Sequence, residues 1–256
     1  MSAGGGGGGA RSASADARAR AAVGEKPRPA VSGYRWVYLW HWPIRAMHWL
    51  AFASIAVLVV TGFYVGRPYF MTGTGDATSF AMGWMRFLHF AAAGVFVATG
   101  IVRLYWLFAG NKFERVRALF PLRGRDLGNL WRMVKKYLMI RPEKAPHYLG
   151  HNPLQQLSYT LVYVVGAFMV VTGFALYGLS NPGGFFYGAF GWVREMLGGA
   201  QGVRFWHHVV TWFFIIFFPI HVYLAIRADV TELDGSLSSI VSGGKFVRED
   251  LEFEDE

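Results

Sequence analysis

Residues 204–227, RFWHHVVTWFFIIFFPIHVYLAIR, limit the possible folds more than any other stretch. Uncharged apolar runs of ~20 residues cross a bilayer as helices, and an ionisable side chain inside such a run is costly enough to point to function. His207 and His221 lie fourteen residues apart. At ~100° per residue they point to within about 40° of one another, separated by roughly 21 Å along the axis. His208 points elsewhere. Two imidazoles on one face, one near each membrane surface, suit two flat cofactors stacked across the bilayer, each needing a nitrogen ligand. The rest of the chain must supply the opposing ligands.

With 54% apolar and 17% aromatic residues in 256, the chain reads as an all-α membrane protein with one small bundle. Four spans are predicted at about residues 46–65, 87–109, 156–179 and 205–226, helical because lipid offers the backbone no partners. The absence of cysteine excludes disulfides, thiolate-held iron–sulfur clusters, covalent c-type haem and a thiol nucleophile. A metal centre must rest on histidine, carboxylate or methionine. The formal charge of +9 follows topology and is no nucleic-acid footprint. Seven Lys/Arg precede the first span and ten lie between the second and third, against Arg67, Arg86, Arg194 and Arg204 in the other two loops. The positive-inside rule then puts both termini and the middle loop in the cytoplasm.

Residues 1–33, opening on a glycine run, carry nothing to bury and are expected to be disordered. No apolar h-region stands there, so no cleaved signal peptide is predicted. Residues 34–45 form an aromatic interfacial belt. VVTGF occurs at 59–63 and again at 170–174, favouring small-residue helix packing over an internal repeat. Residues 123–140 predict an amphipathic helix on the membrane surface, with Leu127, Leu130, Trp131, Val134 and Leu138 apolar and a basic opposite side. Pro219 should kink the fourth span. Residues 34–230 form the bundle domain, and 231–256 read as a solvated acidic tail.

The histidines sort by depth. His89 and His207 fall at the outer surface, His48 and His221 at the inner, which is what two haems b with bis-histidine ligation require of a four-helix bundle. Filled axial positions leave no open site for oxygen, selecting electron transfer. Three of the four follow an arginine by three residues: Arg45 before His48, Arg86 before His89 and Arg204 before His207. A guanidinium one turn nearer the water can pair with a haem propionate, so Arg86 and Arg204 are assigned to the outer haem, Arg45 and Arg103 to the inner. Simple snorkelling to headgroups is the competing account of these arginines. His147 and His151 form an H-x3-H pair without the further ligands that zinc needs.

WPIRAMHW, VTGFYVGRP, MRFLHF with IVRLYW, GHNPLQQ, VTGFALY, and WHH followed by HVYLAIRAD resemble the b-type cytochrome subunit of membrane-bound nickel–iron hydrogenases, and more distantly the formate dehydrogenase cytochrome b subunit. The resemblance covers residues 37–243. It implies a multi-pass subunit of the bacterial inner membrane, anchoring the hydrogenase small and large subunits at the periplasmic face. Electrons from the small subunit's iron–sulfur clusters would cross two haems b to quinone near the cytoplasmic side, hydrogen cleavage itself belonging to another subunit. The implied ligands are His48, His89, His207 and His221.

A quinone beside the inner haem would find hydrogen bonds at His151 and Asn152. Against this, Asn152 followed by Pro153 reads as a helix start, and that interpretation is preferred. Three alternatives stay open on the residues alone: the anchor of a formate dehydrogenase or another periplasmic oxidoreductase, a histidine-based proton channel or transporter, and a structural anchor without cofactor.

Overall fold

Helix closure inside lipid and chain reversal outside it account for the architecture. The computed structural model describes residues 33–68, 80–120, 124–138 and 146–255; nearly all of the expected N-terminal tail, 1–33, lies outside them. In chain order the elements are β1 (Tyr34–Tyr38), α1 (Trp42–Gly66), α2 (Ala81–Ala109), α3 (Val116–Leu119) and α4 (Gly124–Tyr137). They continue with α5 (Pro153–Tyr177), α6 (Phe185–Ala189), α7 (Gly191–Met196), α8 (Gly199–Glu232), α9 (Ser236–Ser242) and β2 (Gly244–Arg248). α1, α2, α5 with its 3-10 extension, and α8 are long and apolar enough to cross a membrane. Each begins three to six residues before the predicted span, because a helix does not stop where its hydrophobicity does. α8 runs unbroken through Pro219 for 34 residues.

α1 packs along α2, α5 packs along α8, and α8 also touches α1. The end where α1 starts and α8 finishes is called the near end, the other the far end. At the far end α6 and α7 fold under the bundle, and Val193 of α7 packs with Ala175 and Val203.

The near end carries a folded cap where a solvated acidic tail was expected. β2 pairs with β1, and the Leu39 and Trp40 amides both donate to the Gly243 carbonyl at 2.9 and 2.8 Å. Gly243 has φ +92°, and a Cβ there would stand 2.6 Å from the Tyr38 ring, so this turn needs glycine. Lys245 pairs with Asp234 at 2.8 Å, both largely buried. The Asp255 carboxylate accepts from the Leu149 and Gly150 amides at 2.7 and 2.8 Å. Val247 and Phe253 join Leu39, Trp40, Phe113 and Leu149 in a small core. The acidic residues of this segment are thus partly structural acceptors.

α4 matches its prediction in extent, while its packing face mixes polar and apolar side chains. Asp126, Asn129 and Met133 are buried, with Asn129 donating to the Tyr148 hydroxyl at 2.8 Å. Trp131 and Leu138, from the predicted apolar stripe, are 61% and 64% exposed. A helix presenting apolar side chains away from its own protein is suited to a headgroup layer.

One carboxylate joins the start of α1 to the end of α2. Glu114, 1% exposed, accepts from the His41 amide at 2.6 Å and His41 Nδ1 at 2.8 Å. It also accepts from the Asn111 amide at 3.0 Å and Trp106 Nε1 at 3.1 Å. Burial alone would raise its pKa, but the bonds from Asn111, His41 and Trp106 outweigh it and hold the carboxyl below its usual range. A depressed folded value contributes stability at neutral pH that is lost as the pH falls below the ordinary carboxylate range. Glu114→Ala strands several buried donors, and a loss on the order of 3 kcal/mol is expected. Thermal unfolding in detergent should show it at pH 7, with the gap to the unmutated protein narrowing as Glu114 protonates in acid.

Candidate functional site

At the near end, His48 of α1 faces His221 of α8. Their ring centroids are 6.3 Å apart and their planes tilted by 50°. One turn further in, Phe52 stacks on Phe218 at 5.2 Å, while Phe217 stacks on His221. An imidazole nitrogen binds a metal at ~2 Å and lies ~1 Å from its own ring centre. Two imidazoles on opposite sides of one ion therefore place their centres ~6 Å apart, so the pair is spaced for a single iron between them. Two histidines cannot complete a coordination sphere, and a porphyrin held between them would supply four further nitrogens.

At the far end, His89 of α2 and His207 of α8 lie within electrostatic reach of each other. His89 Nδ1 is 2.9 Å from the Thr61 hydroxyl of α1, and His207 Nδ1 is 2.8 Å from the Thr172 hydroxyl of α5. Beside each threonine is a glycine. A Cβ on Gly62 would approach His89 Cε1 to 3.3 Å, and one on Gly173 would approach His207 Cε1 to 3.6 Å. His208 turns aside, its ring against Phe63 at 4.9 Å. Both VVTGF segments thus hold a far-end histidine, a role that the packing interpretation missed. The available signal was their repetition at matching depth.

The arginines divide. Arg45 Nη1 donates to the Val241 carbonyl, and its buried Nε has no partner among the described residues. Arg86 and Arg204 are exposed at the far end. Arg103 donates from Nε to the Tyr163 hydroxyl and from Nη1 to the Glu114 carbonyl, both at 3.0 Å. These bonds tie Arg103 to α5 and to the Glu114 turn and use two of its five N–H donors.

Asn152 caps α5 in a full capping box. Its side chain accepts from the Gln155 amide, Gln155 returns a bond to the Asn152 amide, and Nδ2 donates to Tyr137 at 3.3 Å. The helix start accounts for Oδ1, and the contact with Tyr137 of α4 for Nδ2. His151 is different: its ring lies between Trp40 and Tyr159 at 4.7 Å each, and its buried Nδ1 has no partner among the described residues. Burial, reinforced by the positive charges of Arg103 and Lys245, pushes its pKa down to about 3. Gln156 Nε2 donates to the His151 carbonyl at 3.1 Å, leaving its own buried Oε1 without a partner among the described residues. His147 pairs with Phe253 instead, and among the described residues no group of three or more potential ligands could hold a bare metal ion.

Residues 39–243 match the sequence model of the prokaryotic cytochrome b561 family. The chain belongs to that family. Among its relatives, the probable Ni/Fe-hydrogenase B-type cytochrome subunit of Azotobacter chroococcum mcd 1 is 41% identical over 84% of this chain and 90% of that protein. The like-named protein of Cupriavidus necator is 38% identical over 80% and 85%. The probable Ni/Fe-hydrogenase 1 B-type cytochrome subunit of Escherichia coli K12 is 33% identical over 80% and 89%. A b-type cytochrome carries haem, and the spacing of His48 and His221 fits one.

If Asn152 is a cap and no more, Asn152→Ala should lower stability by about 1 kcal/mol. Earlier thermal unfolding in detergent with an unchanged visible spectrum would bear this out; loss of a haem signal would contradict it.

Proposed function

We propose that this chain is the membrane-anchoring, dihaem cytochrome b subunit of a nickel–iron hydrogenase, carrying electrons from hydrogen oxidation to quinone. The observation behind the proposal is the pair of histidine couples at opposite ends of one four-helix membrane bundle, and the names of the relatives support the choice of donor. His48 and His221 would hold the near-end haem, His89 and His207 the far-end one. With both axial positions filled, haem supplies one-electron transfer without an open site for oxygen. Arg86 and Arg204 lie where far-end propionates would reach, and Arg45, with its buried Nε, where near-end propionates would. Arg103 would serve the near-end propionates with the N–H donors not given to Tyr163 and Glu114.

The lysines and arginines clustered around residues 112–144 argue that the near end is cytoplasmic. The far end, with α6 and α7 beneath it, then faces the periplasm of an inner membrane and receives the iron–sulfur small subunit with its large subunit. Quinone would be reduced at the near end. His151 is the preferred headgroup partner because its Nδ1 lacks another among the described residues, and Gln156 replaces Asn152 beside it. Uncharged at neutral pH, His151 can accept or donate one hydrogen bond there without carrying charge. No observation favours a formate dehydrogenase as the donor.

A reduced-minus-oxidised spectrum of the purified protein, with haem quantified, is expected to show two low-spin haems b per chain. His48→Ala or His221→Ala should remove one and spare the other, and His89→Ala or His207→Ala should do the reverse. A haem-free protein in fresh membranes would transfer the histidines to a proton path. His151→Leu should slow reduction of a soluble quinone analogue at least several-fold with both haems present; unchanged turnover would clear His151 of that role.

A further inference from the structure

The hydroxyls of Thr61 and Thr172 have one proton each, and its destination fixes the chemistry of the far-end histidines. Thr61 Oγ1 lies 2.6 Å from the Val57 carbonyl one turn back on α1, and Thr172 Oγ1 lies 2.8 Å from the Phe168 carbonyl on α5. A carbonyl oxygen can only accept, so each threonine donates its proton along its own helix. Toward the imidazole the same oxygen must then accept, which requires the proton on Nδ1 of His89 and of His207. In a neutral ring Nε2 is left with its lone pair, the form that binds a metal. The linked bonds, imidazole Nδ1–H to hydroxyl and hydroxyl to carbonyl, therefore select the tautomer and fix the direction of each ring.

The same arrangement occurs twice. VVTGF at 59–63 is followed by RFLH at 86–89, and VVTGF at 170–174 by RFWH at 204–207. In each copy the threonine of one span reaches the histidine of the next, with glycine beside it making room for the ring. The near-end histidines lack this device: among the described residues neither His48 nor His221 has a hydrogen-bonded ring nitrogen, and each contacts aromatic rings.

We propose that Thr61 and Thr172 are paired positioning residues that orient both axial ligands of the far-end haem and lower its reduction potential relative to the near-end haem. An imidazole whose Nδ1–H is hydrogen-bonded donates more strongly through Nε2, and stronger donation favours the oxidised iron. Two such ligands on one haem and none on the other make the reduction potential rise from the far end to the near end, which is downhill for electrons moving that way. This rests on the dihaem assignment above.

The test is a potentiometric titration with low-temperature electron paramagnetic resonance on purified Thr61→Val, Thr172→Val and double variants, alongside Thr61→Ser and Thr172→Ser. Val preserves shape and removes the hydroxyl; Ser restores it. One haem should titrate at a higher potential in each Val variant, more so in the double, with its low-spin signal shifted as the ring is released. The other haem should stay unchanged, and Ser should return the wild-type values. Loss of one haem in the Val variants but not in the Ser variants would support the same role. Wild-type potentials and signals in the double Val variant, or equal shifts with Ser and Val, would overturn it. Gly62→Ala, the tighter of the two contacts, should disturb the same haem more than Gly173→Ala. If the unmutated protein binds fewer than two haems, the dihaem assignment has failed and not the role of the threonines.

Discussion

Helices in lipid gain little by hiding apolar surface from one another, since lipid tails are as apolar as leucine. What fixes such a bundle is packing plus the few polar contacts that cross between helices, and here those contacts occupy specific positions. At the near end Glu114 gathers donors from the entry to α1, the end of α2 and the turn between α2 and α3. Arg103 extends that knot to Tyr163 of α5. At the far end two threonine–histidine pairs cross between membrane helices, one joining α1 to α2 and the other α5 to α8. The contacts that hold the helices at that end are the same ones that hold the candidate iron ligands. Stability and cofactor geometry are therefore difficult to alter separately there.

Much of this was legible in the amino-acid sequence. Length and hydropathy located all four spans, because the membrane imposes both, and the fourteen-residue interval brought His221 to the same end as His48, where the structure shows them facing. What the sequence obscured were bonds formed over long separations. The acidic C-terminal segment looked solvated because its composition is polar, yet Asp255 is committed to amides more than a hundred residues earlier. Arg103 looked wholly available by depth alone, while two of its donors go to a loop and another helix. VVTGF looked like helix packing because threonine and glycine are common between membrane helices; only the orientation of two neighbouring helices reveals an imidazole beside each copy. Asn152 went the other way, its capping role being local and readable from Asn-Pro followed by Gln155.

The duplicated VVTGF and RF-x-His segments give the far end an approximate internal symmetry that the near end lacks. Its histidines come from α2 and α8, and each threonine from the preceding membrane helix. The near-end couple instead joins the first and last spans with no matching polar support among the described residues. The two candidate sites, similar in side-chain type, are thus built by different means, one by a repeated module and one by closure of the bundle on itself.

His207 and His221 share a single continuous helix, and this limits how the chain can vary in length. Their separation is set by covalent geometry along α8 and is indifferent to how the other three helices breathe. Inserting or deleting one residue between them would swing one ring by ~100° while moving it only ~1.5 Å, destroying alignment long before distance. A bundle that needs both rings on one face therefore tolerates a change in the length of the intervening segment only in steps that restore whole turns.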